Sequence, residues 1–405
     1  MPANSSGTGE RFSPEQRMMY YLFLIGFFAI FSTTISKNPV LPLFSLALGA
    51  NDAVIGLIAA VSPLAGILFS FPVGVLSDHF GRRRLLVLSG AVFLLAPLLY
   101  LAIVDPFWLI PVRFFHGTAT AILGPVISSV IAQRFPAHKG EMLGQYSSAT
   151  LIGRSLAPLL GGIILSSFAM YPGLVPYRIV YITASIAAVP VCVMTIMYRE
   201  EHDGGLDAPK FFVFKESFVA FFANRRLGAT ALVDMATYFT FGAFETFLPV
   251  FLSSRSIDAY QIGIIFAIQV LIIAATKPFF GRVADRIDKR LQIGAGLLLI
   301  GVSVAIIPLM QTFAGFLAVG AVFGGGMSLS TVATSAYVAD VAKKEQIGAS
   351  MGALSSIMDI GHSSGPLVTG IIITVAGFGT GFFASFLLAV AVTAVFGVSV
   401  RDRRA

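Results

Sequence analysis

The chain has 405 residues, of which 56% are hydrophobic and 12% charged, with a mean hydropathy of +0.87. Soluble domains carry about 25% charged residues, so this composition excludes one. The formal net charge of +7 is no sign of a nucleic-acid partner, because the basic residues follow a positional pattern set out below.

A bilayer crossing takes about 20 apolar residues. Twelve runs meet that length, at roughly 18–47, 53–73, 84–104, 107–133, 142–168, 175–198, 227–252, 260–280, 291–311, 313–340, 346–374 and 378–400. They are continuous rather than alternating, which predicts helices, here numbered spans 1 to 12. Residues 1–17 form a polar tail. The first run is far longer than a signal-peptide core and is expected to be retained. Residues 199–226 divide the chain: a polar linker is followed by Phe211–Phe222, where Phe mixes with Lys215 and Glu216, predicting an interfacial helix. Residues 401–405 are a second short tail. The fold class expected is an all-α integral membrane protein, with six-helix bundles at 18–198 and 227–400.

On these spans, 21 of the 27 Lys and Arg fall on one side, Arg178 and Arg255 fall on the other, and Lys37, Arg113, Arg154 and Lys277 lie within spans. This positive-inside bias places both termini in the cytoplasm. Cys192 is the single cysteine, so neither an internal disulfide nor a paired CxxC metal site can form.

The two bundles repeat one plan. Leu41-Pro-Leu-Phe44 matches Leu248-Pro-Val-Phe251, and Ile55-Gly-Leu57 matches Ile262-Gly-Ile264, both at an offset of 207. Further along the offset is 208, pairing Gly140 with Gly348, Gly153 with Gly361, Pro158 with Pro366 and Gly162 with Gly370. Parallel six-helix repeats are a transporter architecture.

The connection GVLSDHFGRRR at 74–84 has a weaker second copy, GRVADRIDKR, at 281–290. The first resembles the loop signature between helices 2 and 3 of the major facilitator superfamily. Arg113-Phe-Phe-His-Gly117 is similar to that family's fourth-helix motif. Gly153-Arg-Ser-Leu-Ala-Pro-Leu-Leu-Gly-Gly162 resembles the fifth-helix motif of its drug–proton antiporters, with Ala157 and Arg154 as departures. The resemblance covers the whole chain. It implies that Gly74, Asp78, Gly81 and Arg82, with Asp285 and Arg286 in the second copy, latch the two halves in an outward-open state. It also implies a sealed hinge at Gly153, Pro158, Gly161, Gly162 and Pro366, a cavity lined by spans 1, 4, 7 and 10, and a part for Arg113 in proton coupling or substrate contact. Small residues four apart also pack helices closely by themselves.

An ionisable group at the bilayer centre costs about 2.5–3.5 kcal/mol and needs a partner or a cavity. Lys37 and Glu245 are expected at similar depth on facing halves, pairing when the outer side closes. Asp359 and His362 share a helical face and make a candidate proton site, as does Asp234. Arg154 is the repeat counterpart of His362. Lys277 is expected to snorkel to the surface. Among the aromatics, Tyr238, Phe241 and Phe244 share a helix with Glu245 and are candidates for the cavity wall.

No Walker loop, HExxH or GxSxG is present, and no soluble segment could hold a nucleotide. An enzyme is therefore not expected, nor a metal, nor a cofactor. The reading favoured by the sequence is a proton-coupled exporter of a small organic solute, monomeric, in a bacterial inner membrane, driven by the proton gradient. Its rival is a carrier that imports or exchanges an organic anion held by Lys37, Arg113 and Arg154. A non-transporting sensor or assembly protein has no feature in its favour.

Overall fold

A computed structural model describes residues 14–199, 221–343 and 347–401. Its long elements are all helices, and eleven of them are long and apolar enough to cross a membrane among the described residues. The last, Ile347–Ser399, is broken at Gly377 (φ 80°) and supplies spans 11 and 12. Span 1 is also interrupted, running as Pro14–Ile35 and then Val40–Ala47. The others are Asp52–Phe80, Arg82–Leu99, Leu109–Arg134, Lys139–Ser167, Val175–Met197, Arg225–Ser254, Ala259–Ala284, Lys289–Ala305 and Phe313–Val341. These are spans 2 to 10 within a few residues of expectation. The interfacial helix expected before Phe222 and the tails lie mostly outside the described residues.

Side chains satisfy the first exposed N–H groups of several helices. Asn51 accepts from Val54 N at 2.9 Å to start span 2. Its repeat counterpart Asp258 starts span 8, with Gln261 accepting from Asp258 N at 3.2 Å. Twelve crossings put both ends of the chain on one side, here called the terminal face. The opposite side is the far face.

The halves meet along two seams near the far face, span 2 against span 11 and span 8 against span 5. In the first seam a Cβ on Gly56 would collide with the Pro366 carbonyl, and one on Gly370 with the Asp52 carbonyl. In the second, the same holds for Gly263 against Pro158 and for Gly162 against Ala259. These are the same two contacts, carried over by the 207 and 208 offsets. Two hydrogen bonds repeat as well: Ala53 N donates to Thr374 Oγ1 at 2.9 Å, and Tyr260 N donates to Ser166 Oγ at 3.0 Å.

The cores show where the seams stop. At the far face one hydrophobic cluster joins both halves, with Ile35, Phe44, Phe247, Ile262 and Phe266 all buried in it. Towards the terminal face the core splits, into one cluster of the N-terminal half around Leu86, Phe93, Ile127 and Val191 and two of the C-terminal half, around Val233, Leu297, Val392 and Phe396 and around Leu227, Val338 and Leu354. On spans 5 and 8, Cβ atoms at Gly140, Gly144 and Gly281 would meet nothing within 4 Å. The halves are therefore closed at the far face and parted at the terminal face.

Candidate functional site

The interruption of span 1 places Lys37 and Asn38 between its two helical pieces. Lys37 Nζ donates to Glu245 Oε2 of span 7 at 2.6 Å. Asn38 Nδ2 donates to Glu245 Oε1 at 2.5 Å. His362 Nε2 of span 11 lies 3.0 Å from Glu245 Oε2 and 3.2 Å from Lys37 Nζ. Both oxygens of the carboxylate are thus engaged. Asn38 and Glu245 are repeat counterparts that touch each other, so they lie on the pseudo-twofold axis itself. An ion pair this secluded gains from low dielectric only when its remaining bonds are made, and Asn38 and His362 make them.

On the terminal side of this cluster lies a cavity of about 90 Å³ between the halves. Its wall includes Thr34 of span 1, Arg154 and Pro158 of span 5, Tyr238 and Phe241 of span 7, Gln269 and Lys277 of span 8, and Met327 and Thr331 of span 10. Spans 5 and 8 take the place expected of span 4, which contributes nothing to this wall. The physical reason is the second seam, whose small residues draw spans 5 and 8 to the axis. Phe244 is fully buried instead, stacked on Phe323 at 4.1 Å.

The remaining sequence candidates separate. Arg113 does not join Lys37 and Arg154. It is 1% exposed inside the N-terminal half, beside Tyr100, His116 and Tyr181, and its Nε and Nη1 have no hydrogen-bond partner. Among the described residues no carboxylate pairs with it. The expected Asp359–His362 pair does not form, because His362 turns to Glu245 while the Asp359 carboxylate lies against Gly66 of span 2. Asp234 is buried in span 7 and lines no part of the cavity. The hinge motif divides: Gly153 packs on the Phe27 carbonyl and Gly161 on Ile35 and Val40, both in span 1, whereas Pro158 and Gly162 belong to the second seam with Pro366 as counterpart in the first.

In the loop motif, Gly81 has φ 82°, a conformation that favours glycine. Its counterpart Asp288 has φ −61° and caps span 9, accepting from Arg290 N at 2.9 Å. That is why the second copy needs no glycine there. Hydrogen bonds from Arg290 hold the Asp288 carboxyl below the usual carboxylate range. Arg82 donates to Gln133 within its own half. Asp285 and Arg286 are exposed and make no side-chain bond among the described residues. Gly74 and Asp78 belong to span 2, and the Asp78 side chain lies outside the described residues.

Sequence reasoning missed Asn38, Lys277, Ser166 and Thr374. The signal that could have found them is the repeat: its offsets pair Asn38 with Glu245 and Ser166 with Thr374. Nothing in the sequence distinguished Lys277 from a snorkelling lysine. Among the described residues no cluster of three or more His, Cys, Asp or Glu could hold a metal.

The chain resembles known proteins along its whole length. It is 25% identical over 343 residues to the uncharacterized MFS-type transporter MJ1560 of Methanocaldococcus jannaschii, covering 84% of this chain and 87% of that one. It is 25% identical over 187 residues to the multi-drug resistance efflux pump PmrA of Streptococcus pneumoniae, 45% of each chain. The crystal structure of a bacterial homologue of the human lysosomal transporter Spinster, inward-facing and unoccupied, superposes with a TM-score of 0.78 at 17% identity, over 96% of this chain and 98% of that one. The family model described as Major Facilitator Superfamily matches residues 22–260 and 230–405. The twelve spans, the repeat and these matches make the chain a multi-pass membrane transporter of small molecules rather than an enzyme, and a member of the Major Facilitator Superfamily.

Proposed function

We propose that the chain exports a small organic solute in exchange for protons, by alternating access. The observation that carries this reading is the Lys37–Glu245–His362 cluster on the pseudo-twofold axis, above a cavity between halves that join only at the far face. Opening the far face must pull Lys37 from Glu245. A proton reaching Glu245 from that face removes the charge that holds Lys37, and the His362 imidazole beside it offers a nitrogen that can pass a proton on. Proton entry thereby favours the opening through which solute leaves. Rocking of two repeats about a midplane site is the movement this architecture supports.

The basic-residue bias supports cytoplasmic termini in a bacterial inner membrane. The far face is then external, and the state described here is open to the cytoplasm. A released latch is consistent with Asp285 and Arg286, which make no side-chain bond among the described residues. Similarity to the efflux pump PmrA supports the outward direction. The proton gradient is the driving force, no cofactor is involved, and the monomer is the working unit.

The test uses nitroxide labels at Met170 and Val375, which are 86% and 83% exposed on opposite halves at the far face. In liposomes two distance populations are expected, with acidification favouring the longer one and Glu245→Gln abolishing the response to pH. One fixed distance at every pH would sink alternating access.

A further inference from the structure

We infer that the cavity takes an amphipathic organic anion, clamped between Arg154 of one half and Lys277 of the other. This rests on the transport reading and names its substrate class.

The charges at the cavity do not cancel. Among the described residues Glu245 is the one carboxylate on its wall, and its oxygens are taken by Lys37, His362 and Asn38. Arg154 and Lys277 line the same space, and neither makes a hydrogen bond or ion pair with a described residue. With Lys37 and Glu245 neutralising each other, the wall keeps two positive charges. Gln269 adds a buried Nε2 donor without a partner on the same wall. Donors and cations left without partners on a cavity wall are recognition groups for an acceptor-rich, negative solute. Among the described residues lining the cavity no carboxylate is left open to a cationic solute; Asp234 and Asp359, which act on Tyr238, are not part of the wall.

The depths exclude plain snorkelling for the arginine. Arg154 is fifteen residues after Lys139, where span 5 begins, which is roughly 22 Å along the helix. Span 5 has 29 residues, roughly 43 Å of helix, so Arg154 stands at the midpoint of its span. Lys277 is seven residues before the end of span 8 at Ala284, roughly 10 Å from it, and it faces the same cavity. The apolar part of the solute has Tyr238, Phe241 and Met327 to pack on.

The position of the two cations also suits transport. Spans 5 and 8 touch backbone to backbone at the far face and part towards the terminal face. Arg154 and Lys277 sit on the two arms of this V. Empty, they repel each other and favour the open arms. An anion between them reverses the sign of the interaction and draws the arms together, which is the movement that closes the terminal face behind the solute.

The experiment compares two probes of one shape and opposite charge, 2-naphthalenesulfonate and 2-naphthyltrimethylammonium, binding to the purified full chain. The sulfonate should bind and raise the unfolding temperature, and the ammonium should not. Arg154→Gln and Lys277→Gln should each weaken sulfonate binding about tenfold or more, with Arg154→Lys recovering part of the loss. Sulfonate binding should also weaken as salt rises. Preference for the ammonium, binding of neither probe, or full sulfonate affinity in both Gln variants would overturn the anion class. The wild-type charge preference decides even if a variant fails to fold. The nitroxide distances at Met170 and Val375 need no ligand, so they judge the transport reading separately.

Discussion

The two seams and the axis between them are built on opposite principles. The seams are copies: Gly56 on Pro366 repeats as Gly263 on Pro158, and the Thr374 cap on Ala53 repeats as the Ser166 cap on Tyr260. At these far-face contacts they work by backbone approach, and the carboxylate of Asp359 against Gly66, further along the first seam, has no charged counterpart at Leu151. The axis keeps the fold symmetry but not its chemistry. Glu245 faces Asn38 as its counterpart, and the counterparts His362 and Arg154 part company, one bonded to Glu245 and the other left in the cavity wall. Symmetric seams let either half rock against the other. An asymmetric axis gives that movement a chemical cause and a ligand.

The sharpest way to break the comparison is at a seam. Gly162→Leu and Gly370→Leu each drive a side chain into a carbonyl of the other half, and overpacking costs about 1–3 kcal/mol. Both should hold the far face open and cut transport by more than tenfold, and they should do so alike. Unequal effects on the Met170–Val375 distance would show that the seams are not functionally equivalent.

The axis comes next. Glu245→Gln strands the Lys37 charge, and breaking a buried pair costs about 3–5 kcal/mol. A clear fall in unfolding temperature is expected, with Lys37→Met restoring most of it in the double variant. Loss in the double as large as the sum of the singles would mean that the pair is not coupled. Arg113 should answer in the opposite sense. It is buried and no described carboxylate pairs with it, so Arg113→Met should leave stability unchanged or raise it by about 1 kcal/mol. A fall in unfolding temperature as large as that of Glu245→Gln would show that the guanidinium is satisfied where it lies.

Smaller effects belong to the caps. Ser166→Ala and Thr374→Ala should each cost about 1 kcal/mol, read as a modest and equal shift towards the far-open state. The two loop copies differ least. Gly81→Ala should cost about 1 kcal/mol through its positive φ. Asp288→Ala should cost about 0.5–1 kcal/mol of span 9 capping. Because its carboxyl is held below the ordinary range, that contribution is present at neutral pH and is lost as pH falls through the folded value. Hydrogen exchange at the start of span 9 would measure both the cost and its pH dependence.

The sequence by itself determined the twelve spans, the two-bundle plan and the family. Each follows from local quantities: the length of apolar runs, the bias of Lys and Arg, and motifs within single connections or helices. The repeat offsets also carried the seams, since counterpart glycines and prolines were already paired in the sequence. They could not say which partner each would touch. Only the tertiary structure decided that Glu245 binds Lys37, Asn38 and His362 together, that Asp359 turns away from His362, that Arg113 is withdrawn into its own half, and that Lys277 and Arg154 line one cavity. A membrane charge must find a partner or a cavity, but several partners at compatible depth satisfy that requirement equally well in sequence. The choice among them is made by how two bundles close around their common axis, and by residues more than two hundred positions apart.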